Sequence, residues 1–176
     1  GRMMTTGLAS MVMSNTATAA MMITSILPLA KKLGKEAPMT KSLLVGIPAA
    51  ASVGGLGTII GSTPNAIAVG ALESIGIRIE FLTWMAFGFP IALILIYSFW
   101  VFLSKRYVPK VKELDLSFME EGHSSAVKKS DVRIVLLTLG ITVLLWSTEA
   151  LHGIPLAATS AVPIVLLTLT RIISAD

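Results

Sequence analysis

Two short polar motifs interrupt segments of this chain that are otherwise apolar. The first is Ser14-Asn15-Thr16, and the second is Gly61-Ser62-Thr63-Pro64-Asn65. Hydroxyl and amide oxygens can bind a small cation such as Na⁺, and the free N–H groups at a helix start can bind a carboxylate. Polar, helix-breaking sequence at membrane depth is tolerated only where it is buried in protein or lines a water-filled cavity. The two motifs together predict the binding site of a secondary transporter.

The residues near the two motifs offer ligands of both kinds. Ser10, Ser14 and Asn15 carry side-chain oxygens suited to a cation, and an unwound backbone between Gly55 and Gly61 would add free carbonyl groups. Helices that start after Thr16 and after Pro64 would present N–H groups to an oxyanion. An anion site without a fixed positive charge could be completed by Ser14, Asn15, Thr16, Ser62, Thr63 and Asn65.

Structural roles explain some of the same residues. A serine or threonine in a membrane helix often bonds the preceding turn, and a Ser-Asn-Thr tripeptide can cap a helix. The glycines could serve close helix packing alone. Trp84, which begins an apolar segment, is most simply an interface anchor. These alternatives are more convincing for one motif alone than for two.

Composition indicates a polytopic membrane protein. Of the 176 residues, 54% are hydrophobic and 14% are charged, and the mean hydropathy is +0.82. Soluble domains carry about 25% charged residues. The basic residues flank apolar segments, so the net charge of +4 does not indicate nucleic-acid binding. The lack of cysteine excludes disulfides and thiolate metal sites. We expect the chain to be an internal piece of a longer protein.

The apolar pattern predicts an all-α membrane protein. Residues 1–30 form a re-entrant helical hairpin whose tip is Ser14-Asn15-Thr16, and residues 31–41 form a cytoplasmic loop. Residues 42–72 form a broken transmembrane helix that is unwound near Gly61 to Asn65. Three further transmembrane helices cover residues 83–103, 132–151 and 155–173. Residues 104–131 form a cytoplasmic amphipathic connector.

The distribution of basic residues favours the hairpin. With the hairpin mouth in the cytoplasm, thirteen of the 14 lysines and arginines lie inside, and only Arg78 lies outside. If the first segment were a full span, the basic loop at residues 31–41 would lie opposite the basic connector, and this bias would weaken. We therefore predict a multi-pass protein of the inner or plasma membrane.

The two motifs also resemble those of a known family. Ser14-Asn15-Thr16-Ala17-Thr18-Ala19-Ala20-Met21-Met22 and the segment Gly54-Gly55-Leu56-Gly57-Thr58-Ile59-Ile60-Gly61-Ser62-Thr63-Pro64-Asn65 are similar to the divalent anion/sodium symporters. That family carries dicarboxylates, citrate or sulfate. The resemblance covers nearly the whole chain.

The resemblance implies a role for each matching residue. Sodium would be bound by Ser10, Ser14, Asn15 and Gly61, and the substrate carboxylate by Asn15, Thr16 and Ser62. A second, inverted half of the family carries another Ser-Asn-Thr motif, which Ala158-Thr159-Ser160 does not match. The chain therefore corresponds to half of an inverted-repeat transporter and holds one half-site. The resemblance further implies a homodimer in the full-length protein, sodium as the coupling ion and no other cofactor or metal.

Other functions remain as alternatives. The protein could be a sodium-independent anion exchanger or another ion transporter of related architecture, which the sodium dependence of uptake would decide. An intramembrane hydrolase would use Ser14 or Ser62 as nucleophile, but no His, Asp, Glu or Lys lies mid-span to act as base. A non-transporting scaffold subunit would have no need for unwound backbone in the membrane. We therefore predict a transporter and not an enzyme.

Overall fold

The computed structural model describes residues 2–107, 129–170 and 172, and within these residues the chain is helical without strands. The helices are α1 (Arg2–Ser10), α2 (Asn15–Leu33), α3 (Pro38–Gly54), α4 (Thr63–Ser74), α5 (Phe81–Arg106), α6 (Lys129–Ser147), α7 (Glu149–His152), α8 (Leu156–Thr159) and α9 (Ala161–Leu169). A 3-10 turn, Gly55–Gly57, follows α3. The chain forms two compact units: one holds α1 to α4 and α5 from Thr83 onward, and the other holds the start of α5 and α6 to α9.

Helices α1 and α2 form an asymmetric hairpin. The short arm α1 has 9 residues and the long arm α2 has 19. The Arg2 guanidinium donates a hydrogen bond to Ser25 Oγ at 3.3 Å and joins the arms near the hairpin mouth. The long arm ends at Leu33, three residues after the boundary that the sequence suggests. Lys31 and Lys32 extend it because cationic side chains are favourable in the last turn of a helix.

The link from α2 to α3 turns at Gly34, whose φ of 86° is a backbone conformation that favours glycine. Pro38 then stands in the first turn of α3, where its missing N–H costs no intrahelical hydrogen bond. Lys41 Nζ donates to Glu36 Oε2 at 2.6 Å, and this hydrogen bond lowers the pKa of the Glu36 carboxyl. The pair is exposed, so it contributes little to stability.

The helical path from α3 to α4 is broken. The 3-10 turn ends at Gly57, residues 58–62 are not helical, and α4 resumes at Thr63. The break thus lies before the Gly61 to Asn65 segment that the sequence suggests and overlaps it only at Gly61 and Ser62. Helix α4 starts early because Pro64 is accommodated in the first turn, so the proline initiates the helix and does not interrupt it.

Small residues bring the hairpin against α3. A Cβ atom added to Gly54 would lie 2.5 Å from Gly7 Cα and 2.7 Å from Gly7 C, so the two backbones are in direct contact. The side chain of Ile96 in α5 fills the space beside Gly7. Met3, Ala50, Ile96 and Leu103 form the buried core of this unit. The hairpin, α3 and α5 are therefore closely packed around two glycines.

Three helical segments within the described residues are long and apolar enough to cross a membrane: Pro38–Gly57, Phe81–Arg106 and Ser130–Ser147. The chain is thus an all-α membrane protein. The span predicted at residues 83–103 extends to 26 residues at Phe81–Arg106. The amphipathic helix predicted in the connector falls mainly on residues 108–128, outside the described residues.

The second unit differs from the sequence expectation at its end. Helix α6 ends at Ser147, and the predicted last span at residues 155–173 appears as α8 and α9 across Leu156–Leu169. Ser160 separates these two helices, and its hydroxyl donates to the Leu156 carbonyl at 2.7 Å. Pro163 follows in the first turn of α9 and cannot donate a backbone hydrogen bond. The helix of this segment is therefore shorter than a full span of about 20 residues.

The hairpin topology predicts which loops face the cytoplasm. Cysteines introduced by Lys35→Cys and Lys105→Cys are expected to be protected from an impermeant thiol reagent in intact cells, whereas Ile77→Cys is expected to be labelled. All three positions are exposed in the structure and lie at helix ends or links. Labelling of position 35 from outside, with position 105 protected, would exclude a re-entrant hairpin.

The backbone contact at Gly54 predicts a packing defect on substitution. Gly54→Ala is expected to destabilise the protein by about 1–3 kcal/mol, because the methyl group collides with the Gly7 backbone and neither can yield alone. Gly70→Ala is the matched control, since nothing lies within 4 Å of a Cβ at that helical position. Melting temperatures of the two purified proteins measure the difference. Equal values would mean that the two helices can separate without cost.

Candidate ion and anion site

Asn15 stands at the centre of a group of oxygen atoms. One terminal atom of its side-chain amide lies 2.6 Å from Ser10 Oγ. The same atom lies 3.1 Å from the carbonyl oxygens of Ala51 and Gly61, so it faces three acceptors, which are satisfied when it is the amide nitrogen. Ser10 is fully buried, and Asn15 is partly buried. The hairpin tip, the end of α3 and the break thus contribute one oxygen or more each to a single point.

The Asn15 amide can face this group in two orientations, and only the one with Nδ2 inward supplies hydrogen-bond donors. With Nδ2 turned inward, the amide donates toward Ser10 Oγ, Ala51 O and Gly61 O. An amide nitrogen has two hydrogens for these three acceptors. With Oδ1 turned inward, the two carbonyl oxygens face another oxygen and no donor lies between them. Such a cluster of neutral oxygens is stable where a cation joins them, and oxygen ligands of this kind suit hard cations.

Two glycines make the close approach of these oxygens possible. A Cβ atom on Gly55 would collide with Asn15 Oδ1 and lie 2.8 Å from Gly61 O. A Cβ atom on Gly61 would lie 2.7 Å from Gly55 O and 3.0 Å from Ser10 O. Both glycines are buried. Any larger residue at either position would therefore enter the space in which the oxygens meet.

Thr58 and Asn65 provide partners for the rest of the broken backbone. The Thr58 hydroxyl donates to Met11 O at 2.5 Å and accepts from Gly61 N at 2.9 Å, so it joins the hairpin tip to the break. Asn65 Nδ2 donates to Gly55 O and to Thr58 O, each at 2.8 Å. Both side chains are buried. They satisfy backbone groups of buried residues that no helix satisfies.

Two helix N-termini meet beside the oxygen cluster. Asn15 is the first residue of α2, and Gly61, which its amide faces, lies two residues before the start of α4. The N-cap of α2 is Ser14, whose Oγ accepts from Ala17 N at 3.2 Å. The N-cap of α4 is Ser62, which makes no side-chain capping hydrogen bond. The Ser62 hydroxyl is thus left for another partner at the positive end of a helix.

The sequence-predicted site residues fall into two groups. Ser10, Asn15 and Gly61 come together as described. Ser14 is exposed and caps α2, while Thr16 is exposed in the first turn of α2 and Ser62 is half-buried. Direct binding of sodium by Ser14, and of an anion by Asn15, Thr16 and Ser62, stays a prediction. The amide nitrogen of Asn65, a further residue that the sequence suggests for the anion site, donates to two carbonyl oxygens instead.

Two contributors give no signal in the sequence, and a third residue has a role other than the predicted one. The Ala51 carbonyl joins the oxygen cluster, and the Thr58 hydroxyl joins the tip to the break, but neither residue type suggests a site by itself. Trp84, expected as an interface anchor, donates its indole Nε1–H to Leu56 O at 2.9 Å. A Cβ atom on Gly88 would lie 2.6 Å from the same carbonyl, so α5 packs closely on the 3-10 turn.

The cluster is built from neutral oxygens. Among residues 2–107 and 129–170, no group of three or more His, Asp or Glu side chains is placed to hold a metal ion. Oxygens of serine, asparagine and backbone carbonyls carry no formal charge, so they would bind a cation through their dipoles and would not neutralise its charge. An arrangement of this kind suits a monovalent cation that must also be released.

Comparison with known proteins identifies the family. A family model described as citrate transporter matches residues 2–176. An uncharacterized transporter of Haemophilus influenzae is 41% identical over 93 residues, which is 52% of this chain and 19% of that protein. The sodium-dependent dicarboxylate transporter SdcS of Staphylococcus aureus is 34% identical over 146 residues, 74% of this chain and 26% of that protein. SdcS of Staphylococcus saprophyticus is 30% identical over 168 residues, 85% of this chain and 32% of that protein.

The chain therefore spans no more than about a third of the length of these relatives. The match nevertheless covers the hairpin, the break and the apolar helices together. The chain belongs to the citrate transporter family and is a member of the divalent anion/sodium symporters.

Proposed function

We propose that the full-length protein moves a divalent or trivalent anion, such as a dicarboxylate, citrate or sulfate, across the cell membrane together with sodium, by alternating access. The observation that carries this proposal is the convergence of Ser10 Oγ and the Ala51 and Gly61 carbonyl oxygens on the side-chain amide of Asn15. The relatives named sodium-dependent dicarboxylate transporters support both the ion and the substrate class. This chain supplies one half of the site.

Sodium binds in this proposal where the oxygens meet. Asn15 turns its Oδ1 inward when the ion is present, and Ser10 Oγ and the Gly61 carbonyl complete the coordination from two sides. Gly55 leaves the space free because it has no side chain. Ser14 contributes a further oxygen at the hairpin tip, in addition to its role as cap of α2.

The anion binds next to the cation, against the two helix N-termini. Thr16 in α2 and Ser62 before α4 supply hydroxyl groups, and Asn15 supplies Nδ2 while its Oδ1 faces the ion. A carboxylate here gains from both helix dipoles and from the adjacent positive ion. Each bound species therefore strengthens the binding of the other, which is the thermodynamic basis of coupled transport.

The protein would act as a multi-pass component of the inner or plasma membrane, as a homodimer in its full-length form. The alternative of a sodium-independent exchanger uses the same anion contacts but leaves the oxygen cluster without a ligand. Uptake of a labelled dicarboxylate into proteoliposomes, with sodium replaced by choline, separates the two. Uptake that persists unchanged in choline would overturn the sodium-coupled proposal.

Removal of the central amide is expected to weaken sodium binding. Asn15→Ala should raise the sodium concentration for half-maximal uptake by roughly 10-fold or more, because a dipole that contacts the ion is lost. Thr24→Ala is the matched control on the same helix, since the Thr24 hydroxyl donates to the Ala20 carbonyl in the preceding turn and does not reach the oxygen cluster. Sodium titration of uptake at saturating substrate measures both variants. Unchanged sodium dependence in a well-folded Asn15→Ala protein would contradict the assignment.

The hydroxyl of Ser62 is expected to bind the anion. Ser62→Ala should raise the apparent substrate constant by roughly 10-fold at saturating sodium, since a hydrogen bond to a charged group contributes about 1.5–3 kcal/mol. The intrinsic sodium affinity should change less. If Ser62 only shapes the start of α4, the variant will instead melt at a lower temperature and retain its substrate constant. Uptake kinetics and melting of the same purified protein distinguish these outcomes.

A further inference from the structure

Asn65 holds together the part of the chain that shapes the cation site, although it does not reach the site itself. It lies in the first turn of α4 and is only 4% exposed. Its Nδ2 donates to Gly55 O and to Thr58 O, each at 2.8 Å. Both hydrogens of the amide are therefore used by the two carbonyls, and the nitrogen has none left for an anion.

The first of these hydrogen bonds controls a carbonyl group that lies next to the site. Gly55 O would be 2.7 Å from a Cβ on Gly61, and Gly61 O would be 2.8 Å from a Cβ on Gly55, so the two residues are in close contact. The Gly61 carbonyl faces Asn15, whereas the Gly55 carbonyl is directed to Asn65. Because Asn65 donates to the Gly55 carbonyl, that carbonyl is not available to an ion, whereas the Gly61 carbonyl is.

The second hydrogen bond anchors the far side of the break. Thr58 O is held by Asn65, while the Thr58 hydroxyl donates to Met11 O and accepts from Gly61 N. Through this residue, Asn65 is connected to both the hairpin tip and the residue whose carbonyl faces Asn15. The position of Gly61 therefore depends on the Asn65 amide at two points.

We infer that Asn65 is a positioning residue that fixes how many oxygens surround the cation and how far apart they lie, and so sets the preference for sodium over lithium. The inference rests on the proposed function, since it concerns the same cation site. Groups that orient the direct ligands of an ion commonly change its affinity by about 10–100-fold when they are removed. Without the Asn65 donor, the Gly55 carbonyl can turn toward the ion, and the site can contract around the smaller lithium ion.

The test compares sodium and lithium in the full-length transporter. Asn65→Ala removes both donors, and Asn65→Leu removes them while it keeps the branched shape of the side chain. Both variants are expected to raise the half-saturating sodium concentration roughly 10-fold. The ratio of the lithium to the sodium constant should fall by about threefold or more, because the relaxed site loses its fixed spacing. The substrate constant at saturating sodium should stay within about twofold, since Asn65 does not contact the anion.

The control is Trp84→Phe, which removes the hydrogen bond to the neighbouring carbonyl of Leu56. It should lower the melting temperature but keep the lithium to sodium ratio, because that carbonyl is directed to α5. Asn65→Ser retains one donor and should give an intermediate ratio, and it decides the question if the other two variants do not fold. The sodium-induced rise in melting temperature of each purified variant gives a second readout that does not require transport.

A native ratio and a native sodium constant in folded Asn65 variants would overturn the inference and leave the proposed function intact. If uptake by the unmodified protein proves independent of sodium, the proposed function itself fails. A uniform loss of stability with an unchanged ratio would mean that Asn65 supports the fold only. A changed ratio in Trp84→Phe as large as that in Asn65→Ala would also overturn the inference, because the effect would then not be specific to Asn65.

Discussion

The structure depends on one constraint: backbone groups released by a broken helix must find partners inside the protein. Water is absent from the hydrocarbon core of a membrane, and an unsatisfied N–H or C=O group there costs several kcal/mol. Residues 58–62 are not helical, and the side chains of Thr58 and Asn65 pair four backbone groups at or beside the break: Met11 O, Gly61 N, Gly55 O and Thr58 O. The polar side chains of Thr58 and Asn65 thus serve first to pair backbone groups. The candidate site consists of polar groups that these side chains do not pair.

This division explains why the site contains so few side chains. The Ala51 and Gly61 carbonyls belong to residues that carry at most a methyl group, and Gly55 contributes only space. Asn15 and Ser10 are the polar side chains that meet at the centre. A site made largely of backbone depends on conformation more than on residue identity. Its affinity can therefore be lost through a small movement of the chain, without the loss of any ligand.

Much of this could be predicted from the sequence, because glycine, proline and polar residues inside apolar segments have clear physical meaning. Ser10, Asn15 and Gly61 are brought together, and the helix is interrupted in the glycine-rich segment. The hydrogen bonds of Asn65 to two backbone carbonyls could not be predicted, since an asparagine that binds a ligand and one that pairs buried backbone groups look the same in a sequence. The Ala51 carbonyl was missed because an alanine in a helix gives no indication that its backbone faces a ligand. The boundary between α8 and α9 at Ser160 could not be predicted, because an apolar run gives no indication of it.

The contact between Gly7 and Gly54 limits the ways in which this region can move. Because the two backbones touch and Ile96 fills the remaining gap, α1 cannot slide along α3 without a steric collision. The hairpin therefore cannot move independently of α3 while this packing is kept. In the proposed alternating-access cycle, α1, α3 and the adjoining part of α5 would therefore move as one body. The hinges for such a motion must then lie in the links outside this body.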